Sequence, residues 1–143
     1  MSDAATGFEV TIGAGTLRSP SSSVPTMPHR WTPEGVTVDA AFTGAHLLHL
    51  AVAGCVLNDL YREAEQLGVV VDGARVHARG GFDTDTWAST GIEYTLEVDS
   101  PDPSDAVARV VDAVDRVAEI PRAVRTGTTV HRVEAFGRPG DVS

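Results

Sequence analysis

Between Thr43 and Gly68 the chain reads GAHLLHLAVAGCVLNDLYREAEQL, a single long helical segment whose first half constrains everything around it. Thr43 is a good N-cap, and Gly68 suits the left-handed position that closes a helix. From Leu47 to Leu57 apolar or small residues occupy nearly every face, which predicts a helix covered on all sides. The following DLYREAEQL is amphipathic and surfaces. A chain of 143 residues with 42% hydrophobic content builds one domain spanning residues 1–143. One small sheet is little cover for such a helix, so the simplest solution is a homodimer that wraps two of them.

The flanking segments supply that sheet. Phe8, Val10 and Ile12 alternate with polar or small residues as a half-buried strand does, and Leu17 extends the pattern. Residues 19–28, rich in Pro and Ser, form a loop or flap. His29–Thr32 and Gly35–Val38 read as short strands around Pro33-Glu34-Gly35. Val69–Val71 and Arg75–Arg79 form a strand ended by Gly80-Gly81, and Thr90–Val98 pairs with it as a hairpin. Asp102 caps a second helix with Pro103 at its first position, and Val107, Val110, Val111, Val114 and Val117 mark its buried stripe. Pro121 stops this helix. Residues 128–134 form a last strand, while residues 1–7 and 137–143 fray.

Charge narrows the function. Twenty acidic residues against 11 basic ones give a net charge of −9, which disfavours nucleic acid and membrane surfaces as partners. No signal peptide or spanning segment is evident, so the protein is expected in the cytoplasm. All basic residues are arginine, which excludes lysine nucleophiles and pyridoxal phosphate attachment. No phosphate loop, serine elbow or metal-binding Cys/His array is present, and no cofactor or metal is expected.

The buried helix LLHLAVAGC, the passage EAEQLGVVVDGARVHARG, the strand TGIEYTLEVDSP and the segment AEIPRAVRTGTTV together resemble the OsmC/Ohr family, the osmotically inducible and organic-hydroperoxide-resistance proteins. The resemblance runs from about His29 to Val130. It implies an α+β fold with an antiparallel sheet wrapped around a long buried helix in an intertwined homodimer. It also implies a stress-response peroxidase whose active sites lie at the subunit interface. In typical members a peroxidatic cysteine is oxidised to a sulfenic acid and a second cysteine resolves it. An arginine and a glutamate hold the thiolate and the peroxide. Here Cys55 takes the peroxidatic position, but the resolving position falls at Ile120 or its neighbours, where there is no thiol, and the glutamate position at Ala45. A two-cysteine mechanism is excluded, and an external thiol must act as resolver.

Two readings follow. In the first, Cys55 reduces organic hydroperoxides in one-cysteine form, with Arg30 or Arg18 activating the thiol and His46, close to the missing glutamate, as a substitute polar group or base. In the second, the fold is repurposed: its interface pocket binds an apolar small molecule or catalyses a non-redox isomerisation or cyclisation, with His46 or His49 as acid or base. Asp59 lies one turn after Cys55; it either shares that face, where a carboxylate opposes thiolate formation, or begins the solvent-facing half of the helix. Trp31, Trp87 and Tyr94 are candidates to line an apolar pocket, with core packing as the alternative for each. His46 and His49, one turn apart, are too few to define a metal site.

Overall fold

The computed structural model describes residues 4–5 and 7–136. The frayed tail expected after Phe136 lies outside them, as do residues 1–3 and 6. The elements run β1 (Ala4–Ala5), β2 (Val10–Gly15), β3 (Thr26–Met27), β4 (Val36–Asp39), α1 (Gly44–Leu67), β5 (Gly73–Asp83), β6 (Ser89–Asp99), α2 (Ser104–Val117), α3 (Glu119–Val124) and β7 (Val130–Arg132). The strands form one sheet in the order β3-β4-β2-β5-β6-β7, and β1 pairs with the far end of β5. Every pairing is antiparallel except that of β7, which joins β6 in parallel after the crossover through α2 and α3.

Alternation builds the inner face. Val10, Ile12 and Ala14 of β2, Ala74, Val76 and Ala78 of β5, and Ile92 and Tyr94 of β6 are buried, while Thr11, Arg75, His77, Glu93 and Thr95 between them are only partly so. Ala78 stands opposite Tyr94 in register, so a small side chain makes room for a large one. Against this face α1 lays Val52, Ala53, Val56, Leu57 and Leu60, all essentially inaccessible. Each buried Leu or Val contributes roughly 1.5–3 kcal/mol. The α1 boundaries are those expected: the Thr43 hydroxyl accepts from the His46 N–H at 3.1 Å, and Gly68 has φ 70°. The Val69 N–H then reaches back to the Ala64 carbonyl at 2.9 Å, closing the helix.

Several expectations need correction. Leu47, 39% accessible, and Ala51 leave one side of the apolar half of α1 open within the protomer. His29–Thr32 is irregular chain, because its side chains bond to α1 and to its own turn, not to a sheet. Val69–Val71 is a connector, and Gly80-Gly81 does not end β5: the strand passes through a register shift there and continues to Asp83. Asp102 does not cap α2. Its carboxylate accepts from the Val70 N–H at 2.7 Å, tying that connector down. The helix breaks at Ala118, so that Pro121 sits in the first turn of α3, where a missing N–H is tolerated.

Helix α2 buries Val110, Ala113 and Val114. Asp115 fastens it to the sheet by accepting from the Tyr94 hydroxyl at 2.7 Å and from Arg132 Nε at 2.7 Å. Tyr94 is therefore a core residue, and Trp87 is 66% exposed at the β5–β6 turn with φ 60°, outside the cavity that Trp31 lines.

Candidate functional site

Cys55 lies midway along α1, buried where the helix meets α3. Its Sγ stands 3.7 Å from Asp59 Oδ2. The backbone N–H groups of Ile120 and Glu119, at the start of α3, point at the sulfur. Ligating atoms of Cys55, Asp59 and Glu119 lie within 4.8 Å of one another. The cation here is Arg62, whose guanidinium is 3.1 Å from Asp59 and 3.9 Å from Glu119. Its charge balances part of that of the two carboxylates.

The electrostatics keep the thiol protonated. Burial raises the Cys55 pKa to about 11; the N–H of Ile120 opposes this, and the charges on Asp59 and Glu119 reinforce it. Burial also raises Asp59 to about 6 against the pull of Arg62. Exposed Glu119 stays below the usual carboxylate range, chiefly through its own backbone N–H. A group that must become a thiolate is thus flanked by two carboxyls.

The other side of α1 opens on a cavity of about 320 Å³. Ile12, Val36 and Val38 line it from the sheet, Leu50, Gly54 and Leu57 from α1, and Met27 to Trp31 from the irregular chain. The imidazole of His29 is fixed at both nitrogens, Nδ1 to the Thr32 hydroxyl at 2.7 Å and Nε2 to Asn58 Oδ1 at 3.1 Å. Burial lowers its pKa, so it stands neutral. Trp31 donates its indole N–H to Glu65 at 3.3 Å, and Arg30 lies over the indole at 5.4 Å. A larger hollow of about 730 Å³ on the outer sheet face is floored by glycine backbone and rimmed by the Arg79–Glu93 pair.

The candidate residues are therefore divided. Cys55 and Asp59 come together; Arg30 and Trp31 come together at the cavity. Arg18 follows the turn after β2, with its Nε buried and unpartnered. His46 does not approach Cys55 within the protomer: its Nδ1 lies 2.7 Å from the Thr43 hydroxyl and its ring meets Phe8 edge-on. His49 is fully buried, Nδ1 donating to the Ala45 carbonyl at 2.6 Å, with its ring among Phe8 and Phe82. Burial lowers its pKa too. Sequence reasoning missed Arg62, Glu119, His29, Asn58 and Gly54. Arg62 was findable, being one turn past Asp59 on the same face, and Glu119 adjoins the resolving position. Nothing in the spacing marks His29.

A mixed sheet crossed on one face by a long helix, with the only cysteine at the middle of that helix, defines an α+β thiol protein. The sequence profile described as OsmC-like protein matches residues 37–132. The chain belongs to the OsmC family. Its fold is similar to an OsmC-like protein from Mycoplasma pneumoniae, with TM-score 0.58, 12% identity, and coverage of 93% of this chain and 94% of that one. An OsmC-like hydroperoxide resistance protein from Jannaschia sp. CCS1 gives TM-score 0.53, 18% identity, and coverage of 83% and 88%. A hypothetical protein from Aquifex aeolicus VF5 gives 0.56, 11%, 96% and 98%. No curated protein matches the chain in sequence. Among the described residues no helix is long and apolar enough to cross a membrane.

Proposed function

We propose that this protein binds an apolar small molecule in the cavity between Trp31 and α1, and that Cys55 is not a peroxidatic nucleophile. The observation that carries the reading is the cavity itself: an apolar space of about 320 Å³ with a few oriented polar groups at its edge. His29 has both nitrogens engaged and so is a wall of the cavity, which favours binding over acid–base catalysis. The surroundings of Cys55 support the negative half, since a peroxidatic thiol needs a cation to stabilise the thiolate, whereas the nearby cation, Arg62, is held on Asp59 and Glu119 and the sulfur meets those two carboxyls. The exposed line of Leu47 and Ala51 on α1 supports a homodimer that covers this face.

The test pairs two assays. 1-Octanol should shift Trp31 fluorescence in the protein but not in Gly54→Leu, whose side chain fills the cavity, with far-UV circular dichroism unchanged. No shift in the unmodified protein overturns the binding half. Consumption of an organic hydroperoxide with dithiothreitol should be the same for Cys55→Ser. Turnover that disappears in Cys55→Ser establishes one-cysteine peroxidase chemistry instead.

A further inference from the structure

We infer that the cavity's occupant is a small organic acid, an apolar body ending in a carboxylate that Arg30 holds at the mouth. This rests on the binding reading above and adds the ligand's charge. The first observation is a bias in the lining. Acidic residues outnumber basic ones 20 to 11 over the chain, yet no Asp or Glu lines this cavity, and its one permanent charge is Arg30.

The second observation is that Arg30 is free to act. Arg62, Arg75, Arg79 and Arg132 each sit on a carboxylate; among the described arginines that do not, only Arg30 lines this cavity. Arg30 has no such partner among the described residues, and only the face of Trp31 lies against it. Its guanidinium keeps a planar fork of donors that matches a carboxylate. Of the remaining polar groups, His29 is engaged at both nitrogens and Glu65 is held on the indole N–H, while the Asn58 amide, whose Oδ1 takes the His29 contact, carries no charge to oppose an anion. A net charge of −9 repels anions at long range, so one enters only where a cation is placed for it. A cationic ligand would meet Arg30 and find no counter-charge.

Size narrows the class further. A space of about 320 Å³, open to solvent on one side, admits a body the size of octanoate, which sets the length of the probes.

The probes are octanoate, 1-octanol and octylamine, alike in body and different in head. Trp31 fluorescence reports binding in a Trp87→Gly background; that exposed residue has φ 60°, a conformation glycine adopts freely. Octanoate should saturate at a concentration at least 10-fold lower than octanol, and octylamine should be weaker than octanol. Arg30→Gln should bring octanoate to the level of octanol or below and leave octanol unchanged. If octanoate binds no tighter than octanol, if octylamine equals octanoate, or if the preference survives Arg30→Gln, the charge assignment is overturned and the binding reading stands. If none of the three binds while circular dichroism shows an intact fold, the binding reading itself falls.

Discussion

Two glycines on facing elements, Gly80 of β5 and Gly54 of α1, show opposite reasons for lacking a side chain. A Cβ on Gly80 would run into the His49 ring and approach the Gly91 carbonyl oxygen to 2.6 Å; a Cβ on Gly54 would meet nothing within 4 Å. The first glycine lets a buried imidazole press against the sheet. The second leaves a cavity open. Packing holds α1 through its inner face, and the face with room to spare is the one available for a ligand.

The largest effect should come from closing the first gap. Gly80→Ala forces the His49 ring and the β6 backbone apart, and overpacking of this kind costs about 3 kcal/mol. Urea unfolding should show that loss. An unchanged midpoint would mean that the His49 contact is slack and that the two glycines do not differ.

Next comes the chemistry of the neighbour of Gly54. With its pKa near 11 against an ordinary 9.0, Cys55 has about 100-fold less thiolate at neutral pH than a free thiol. Iodoacetamide should react correspondingly slowly, with a rate that climbs about tenfold per pH unit through pH 10. A plateau near pH 7 would mark an activated thiolate and remove the contrast between a chemically quiet flank and an open one.

Asp59 gives the third effect, and its sign can be worked out. Its folded pKa, about 6, lies above the ordinary 3.8, so the folded state binds the proton more tightly than the unfolded chain. Stability is therefore lost as the pH rises from about 4 to about 6 and stays lost above. Asp59→Asn removes the titration. Its stability relative to the unmodified protein should rise by about 2–3 kcal/mol between pH 4 and pH 8. Equal differences at both pH values would show that Arg62 already neutralises the site.

These contrasts explain what the sequence disclosed. The bounds of α1 were legible because Thr43 and Gly68 are local capping signals, and β5 and β6 because their alternation is local too. The parallel docking of β7 was not, since it depends on how α2 and α3 carry the chain back. Asp102 misled for the same reason: a good N-cap was taken by the Val70 N–H, a partner distant in sequence. At the site, Cys55 and Asp59 were placed together by helical spacing. The pairing of Arg30 with the cavity rather than with the thiol depended on an irregular stretch, His29 to Thr32, whose path is set by bonds to Asn58 and Glu65 on α1.

The smallest effect is the most discriminating about the open flank. Glycine inside a helix costs about 1 kcal/mol relative to alanine, and the space beside Gly54 accepts a methyl group without contact. Gly54→Ala should therefore stabilise the protein by about 1 kcal/mol, read as a higher urea midpoint at constant slope. Leu47 and Ala51 continue the exposed line of α1 towards its N-terminus, so a second copy that covers this face passes close to Gly54. If the partner's backbone packs directly on Gly54, the same methyl destabilises, and the loss grows with protein concentration as the dimer forms. A gain that is independent of concentration would mean that no second copy packs on Gly54 and would leave the cavity open on this side, with Arg30 at its mouth within reach of a ligand.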